Sequence, residues 1–404
     1  MLRGAKTAIA LFGFILSIPS MGWSAGNTAG PMNLSAYDPT SLVFVTNRDS
    51  NDVSVVDTQT DRVLGSIPLG NFSNAHMAML TGDGKKLLVS ATGKDRFLIV
   101  DLATQNVERS IETGSSPEHF DITTDNRLAY IGNMKDSTVS VVDLIEGRET
   151  VRMTGFSGPH GVSVLPNQGK VYVSNLGAPE VTVLGSPLEQ TAEKHLAIGD
   201  VHHAAGREPQ PYLASLEGIS HPTLTPDGKF IYAADGDAGE VTVIDTQSDR
   251  ITNRIQVGKA PWRAYASPDG AYMLVLNNGD KTVSVIETTK RTVVATLQAG
   301  AQMTGVNFTQ GGRKAYVISR GDSTVYVFDM KTLKQIRRLK IGANVALETA
   351  ATTADGRKLY LASSTDNALY VIDSFSDQIR RIADIGRYPW GVTILGSASP
   401  GYCH

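Results

Sequence analysis

The chain has 404 residues, 19% of them charged, with a formal charge of −3, 39 glycines and one cysteine. That balance excludes a polybasic nucleic-acid binder and a long charged tail. A lone Cys403 excludes an intramolecular disulfide framework and, with no C-x-x-C-H, covalent c-type haem attachment.

Residues 1–25 read as a secretory signal. Arg3 and Lys6 form a positive start, residues 8–18 are an apolar run too short to span a bilayer, and Pro19 and Ser20 end it. Gly22, Ser24 and Ala25 place cleavage between Gly22 and Gly26, which takes the charge from −3 to −5 by removing Arg3 and Lys6. No later segment reads as a membrane span. A bacterial periplasm is the expected location, with residues 26–40 as a lead-in.

From residue 41 one pattern recurs: an alternating apolar run, a polar turn, and a second alternating run that mostly ends in Asp. It appears as LVFVTNRDSNDVSVVD ending at Asp57, LLVSATGKDRFLIVD at Asp101, AYIGNMKDSTVSVVD at Asp143 and VYVSNLGAPEVTVL at Leu184. It continues as IYAADGDAGEVTVID at Asp245, MLVLNNGDKTVSVIE at Glu287, AYVISRGDSTVYVFD at Asp329 and LYLASSTDNALYVID at Asp373. The endpoints are 44, 42, 41, 61, 42, 42 and 44 residues apart, so one interval carries an insertion, over residues 200–220. Alternating Val, Ile, Tyr and Leu is strand chemistry. Each hairpin is followed by a polar turn and a further strand, then by a link, another strand and a PDG-type turn. Four strands per repeat make one propeller blade. The expected fold is all-β: an eight-bladed β-propeller over residues 41–396, with a tail at 397–404. The chain enters on a second strand and leaves on a first, WGVTIL at 390–395, which should complete the first blade and close the ring.

The VFVTN, VYVSN and SVVD strings with PDG turns resemble the YVTN-type bacterial β-propeller repeat, over essentially all of residues 40–395. That resemblance implies fold strongly and function weakly. Members commonly have seven blades. Eight blades resemble instead the haem d1 propellers of cytochrome cd1 nitrite reductase and its biosynthetic relatives.

Strand order puts the interblade links and the loops between second and third strands on one face of the disc. His76, His119, His160 and His221 each sit where a link enters an inner strand, and His202 and His203 sit in the insertion. All six should therefore surround one channel mouth. Converging imidazoles suit a transition metal such as copper, or a metallated tetrapyrrole of the haem d1 kind. Hydrogen bonding to nearby backbone is the plainer use of any one of them. One count works against convergence. His76 and His160 lie six residues before the turn position that Pro holds in PDG, whereas His119 and His221 lie five before it. Either the strand entries are irregular or only two of the four face the channel together.

Matching positions in the other blades hold Trp262, Met303, Glu348 and Trp390. Trp262 and Trp390 offer flat walls for a ligand, and Glu348 a ligating or basic carboxylate. Arg263 offers a fork for a carboxylate. Arg48, Arg96 and Arg320 fall in loops on the same face. His195 is expected in an outer strand with a structural role. No nucleophile elbow, phosphate loop, dinucleotide fingerprint or H-E-x-x-H occurs. Three readings follow. The first is an exported propeller handling a metal or metallocofactor, with a separate periplasmic or electron-transfer partner. The second is a non-catalytic protein-interaction propeller. The third is a metal-independent lactonase-like hydrolase.

Overall fold

The computed structural model describes residues 32–166, 169–185, 192–197, 218 and 220–397. Within them thirty-two strands, numbered β1–β32 in chain order, form eight four-stranded sheets. The first sheet joins β1 (Leu42–Asn47), β2 (Asp52–Asp57) and β3 (Arg62–Pro68) to β32 (Pro389–Ile394) from the far end of the chain. Val43 pairs with Ile394, Phe44 with Thr393 and Val45 with Val392. This is the all-β, eight-bladed propeller expected from the repeat, closed by its last strand. The closing strand starts one residue earlier than the sequence suggested. The signal segment, His202 and His203 of the insertion, and residues 398–404 of the tail lie outside the described residues.

The repeated letters have local causes. The Asp that ends most third strands closes the next turn with its carboxylate: Asp57 accepts from the amides of Gln59 and Thr60, and Asp245 from that of Ser248. The Asn that ends several second strands is buried and ties two strands together. Asn133 Nδ2 donates to Thr138 Oγ1 and Ser140 Oγ, and Asn277 Nδ2 to Thr282 Oγ1 and Ser284 Oγ. Inner and middle strands are buried on both faces because each blade is sandwiched between two others. Tyr316, Ile318, Val325 and Val327 of one blade, for instance, share a core cluster with Leu347, Leu359, Leu361 and Tyr370 of the next. Outer strands are exposed apart from one inward residue, Ile67 in β3 and Leu339 in β27 (Lys334–Lys340). The four cations of β27 discourage pairing along that outer edge.

Eight inner strands line the axis: β4 (Ala75–Leu80), β8 (Pro117–Ile122), β12 (Pro159–Val164), β16 (Pro222–Leu224), β20 (Pro261–Ala266), β24 (Met303–Phe308), β28 (Leu347–Thr352) and β32. They are stitched to one another by side chains. Ser163 Oγ donates to the carbonyl of Pro222, Thr223 Oγ1 to that of Ala264 at 2.8 Å, and Asn307 Nδ2 to that of Ala350 at 3.0 Å. Among the described residues no helix is long and apolar enough to cross a membrane.

Candidate functional site

The irregular entry is the one the structure adopts. In β4, β8, β12, β20, β28 and β32 the register shifts at the start of the strand, so that two residues oppose one on the neighbouring strand. Such a bulge bends a strand and re-aims its side chains. The first bulge position holds His76, Glu118, His160, Trp262, Glu348 and Trp390. The second holds Met77, His119, Gly161, Arg263, Thr349 and Gly391. His221 stands one residue before β16, in the place that corresponds to His119.

The four imidazoles lie together. Ring centroids are 5.6 Å apart for His76 and His119, 4.2 Å for His119 and His160, and 6.1 Å for His119 and His221. Trp390 lies 5.6 Å from His76, and Trp262 lies 6.4 Å from His160. All four histidines are at most 4% exposed, as are Trp390, Arg263 and Glu348, whereas Trp262 is half-buried. Met303 is buried as well. Glu348 is joined by the hydroxyl of Ser364 and by Arg320, whose Nη2 lies 3.4 Å from Oε1. Arg263 stacks over Tyr265 at 5.0 Å. Arg96 Nη2 lies 3.4 Å from Glu112 Oε2. His195, on an outer strand as expected, has Nδ1 3.2 Å from Glu180 Oε1.

Two imidazoles have a fixed tautomer. His160 Nδ1 lies 2.8 Å from the Ser220 carbonyl and His221 Nδ1 lies 3.0 Å from the Pro222 carbonyl. A carbonyl only accepts, so both Nδ1 atoms carry hydrogen, and in a neutral ring the lone pair is then on Nε2. Burial holds His119 and His221 well below the usual histidine pKa, aided by neighbouring imidazoles and by Arg263, so both are neutral.

Glu118 was missed in the sequence. It lies beside His119, one bulge position earlier, and its Oε2 is 3.5 Å from His160 Nε2. Burial raises its pKa to about 7, against a smaller pull from the Ser116 hydroxyl and from Arg48 and Lys135. Three residues on, Asp121 Oδ2 accepts from the amide of Val164 at 2.8 Å, and burial raises its pKa to about 6. One signal marked Glu118. Alignment on the proline before the bulge (PEH, PHG, PWR, PWG) puts Glu118, His160, Trp262 and Trp390 in one column, whereas alignment on the PDG turn does not.

The expected convergence of imidazoles is present, but an ion-holding arrangement is not. Among the described residues no group of three or more His, Cys, Asp or Glu side chains is placed to hold a metal ion. His119 and His160 stand too close to sandwich a flat macrocycle between them. Two rings need about 7 Å to sandwich another, and His119 and His160 stand 4.2 Å apart. The arrangement offers neutral acid–base groups, a carboxyl that titrates near neutrality, and guanidinium groups.

Residues 212–400 match the YNCE-like beta-propeller family, and residues 24–155 match the 7-bladed beta-propeller lactonases. Antigen Lp49 of Leptospira interrogans is 24% identical over 218 residues, 49% of this chain and 44% of that protein, so less than half of that relative's length is spanned. Among solved structures, dihydro-heme d1 dehydrogenase NirN superposes with a TM-score of 0.74 at 17% identity, over 89% of this chain and 76% of that one. A functionally unknown protein from Desulfotomaculum acetoxidans gives 0.57 at 16% identity, over 88% and 98%. Hydrazine synthase of Kuenenia stuttgartiensis gives 0.53 at 19% identity, over 78% and 97%. These likenesses establish a propeller resembling the haem d1 type in fold.

Proposed function

We propose that the channel mouth carries out metal-independent acid–base hydrolysis of a cyclic ester, a lactonase-like activity. One observation supports this above the others: the buried Glu118 carboxyl, with its pKa near 7, lies 3.5 Å from His160 Nε2. A general acid and a general base work best when their pKa values lie near the working pH. In this reading His160 Nε2 takes a proton from water as the water oxygen attacks the ester carbonyl. The ring C–O bond breaks, and protonated Glu118 gives its proton to the departing alkoxide. The imidazolium then returns a proton to the Glu118 carboxylate across the same gap, so the pair resets itself. Ser220 holds the imidazole in the required tautomer. Arg263 supplies positive charge beside the carbonyl oxygen as it becomes anionic. The match of residues 24–155 to the lactonase propellers favours the same chemistry.

The test is hydrolysis of a panel of γ- and δ-lactones by the purified protein in the presence of a chelator. Glu118→Gln and His160→Gln should each lower kcat by about 10²- to 10⁴-fold, and the rate should change around pH 7. Full activity in both variants, or none against any lactone in the wild type, would end this reading.

Handling of a haem d1-type tetrapyrrole is a second reading, favoured by the superposition on NirN. It requires the imidazoles to part. A visible absorption band in protein isolated from its host would support it, and a colourless protein would not. We place either activity in the periplasm on the strength of residues 1–25. A mature N-terminus between Gly22 and Gly26 would bear that out.

A further inference from the structure

We infer that Arg48 is the residue that grips the substrate, by a carboxylate, so that the site takes anionic rather than neutral cyclic esters. This rests on the hydrolytic reading above and adds a substrate class to it.

Arg48 follows β1 directly, and its side chain is fixed on three sides. Its amide donates to the Tyr388 carbonyl at 3.0 Å, which anchors the backbone to the link before β32. Its Nε donates to Asn74 Oδ1 at 2.6 Å. Its guanidinium carbon lies 4.7 Å from the centroid of Trp390 and 5.7 Å from that of Tyr388, and those two rings stack at 5.9 Å. Asn74 is itself well held. It adopts the left-handed conformation (φ 44°), its amide donates to Asn51 Oδ1 at 3.2 Å, and its carbonyl accepts from Thr92 Oγ1 at 2.9 Å.

The other edge of the guanidinium is uncommitted. Among the described residues, the two terminal nitrogens of Arg48 make no hydrogen bond or ion pair, although the side chain is half-buried. A guanidinium held by Nε and by its faces, with both terminal N–H groups presented together, is preorganised for the two oxygens of a carboxylate. The location agrees. Arg48 lies against Trp390, which packs on His76, and its charge reaches Glu118. The buried Oε2 of Glu118 makes no hydrogen bond among the described residues. One cation beside an acidic carboxyl suits a monoanion better than a phosphate dianion, which calls for further positive charge.

The experiment uses two lactones that share a ring. 5-Oxotetrahydrofuran-2-carboxylate carries a carboxylate where γ-valerolactone carries a methyl group. Arg48→Lys and Arg48→Gln, each checked for an unchanged melting temperature, should reduce the preference for the carboxylated lactone, measured as the ratio of kcat/KM values, by about 10- to 100-fold. The loss should fall mainly on KM. Lysine should restore little, because a point charge cannot make the paired contact. Calorimetric binding of 2-hydroxyglutarate, the ring-opened acid, is read separately from turnover. If neither lactone is hydrolysed but 2-hydroxyglutarate binds to the wild type and not to Arg48→Gln, hydrolysis is wrong and the carboxylate grip stands. If 2-hydroxyglutarate binds both proteins equally, or neither, or if the preference ratio survives in Arg48→Gln, the grip is overturned.

Discussion

His221 packs directly on Gly161. A Cβ built on Gly161 would come within 2.6 Å of the His221 Cα and 2.7 Å of the Ser220 carbonyl oxygen, the acceptor for His160. The bare glycine therefore sets how closely two inner strands approach, and with it the position of both histidines.

Gly161→Ala should force those strands apart. The expected cost is about 1–3 kcal/mol, accompanied by loss of whatever activity the mouth has. Gly305→Ala in β24 is the matched control, since its Cβ would meet only Ile318 Cδ1 at an ordinary 3.6 Å. Denaturant unfolding of the two variants checks this. Equal stability would show that the close approach is not a constraint.

Glu118 should make stability depend on pH. Its pKa rises from 4.5 in the unfolded chain to about 7 in the folded one, so the folded protein holds the proton more tightly. The stabilisation is complete below about 4.5 and is lost as pH climbs through about 7, a total of about 3 kcal/mol. His119 and His221 act in the opposite direction. Their folded pKa values lie below 6.5, so their contribution grows as pH rises towards that value. The difference between wild type and Glu118→Gln isolates the carboxyl. It should shift by about 3 kcal/mol against the wild type between pH 4.5 and pH 8, measured by urea unfolding at several pH values. A difference that does not vary with pH would mean that Glu118 is not held protonated.

Two equivalent tyrosines should respond differently to loss of the hydroxyl. Tyr172 donates to Asp249 Oδ1 at 2.7 Å and so clamps its blade to the next, whereas the buried Tyr130 hydroxyl has no hydrogen-bond partner among the described residues. Tyr172→Phe should cost about 1–3 kcal/mol, because it strips a partner from a carboxylate. Tyr130→Phe should be neutral or slightly stabilising, since it removes a desolvated group. Thermal melts of both variants decide the matter, and a large loss in Tyr130→Phe would contradict the assignment.

Ending the chain before Pro389 should leave β1 unpaired on its inner side and the ring open. The expected result is a broad, aggregation-prone melt in place of one cooperative transition, seen by calorimetry with light scattering. A sharp transition near the wild-type temperature would show that closure contributes little.

Much of the architecture can be read directly from the residues. The 42-residue period, the Asp that closes most of the turns and the offset of the chain ends are local features, because strand pairing, turn closure and alternation act over a few residues. The bulges are not of that kind. His76 and His160 differ by one position from His119 and His221 when counted from the PDG turn, and strict alternation would send the two pairs to opposite sides.

The letters alone thus determined eight four-stranded blades and set His76, His119, His160 and His221 at the entries of inner strands. Tertiary structure decided that the four rings come together despite their different counts, with an extra residue at six of the strand entries, that Glu118 meets His160, and that Arg48 lies over Trp390. The physical reason is that these relationships join residues far apart in the sequence: Glu118 and His160 lie on neighbouring blades, and Arg48 and Trp390 come from opposite ends of the chain. The approach of neighbouring blades depends on backbone spacing set by residues such as Gly161, a distance that no single repeat contains.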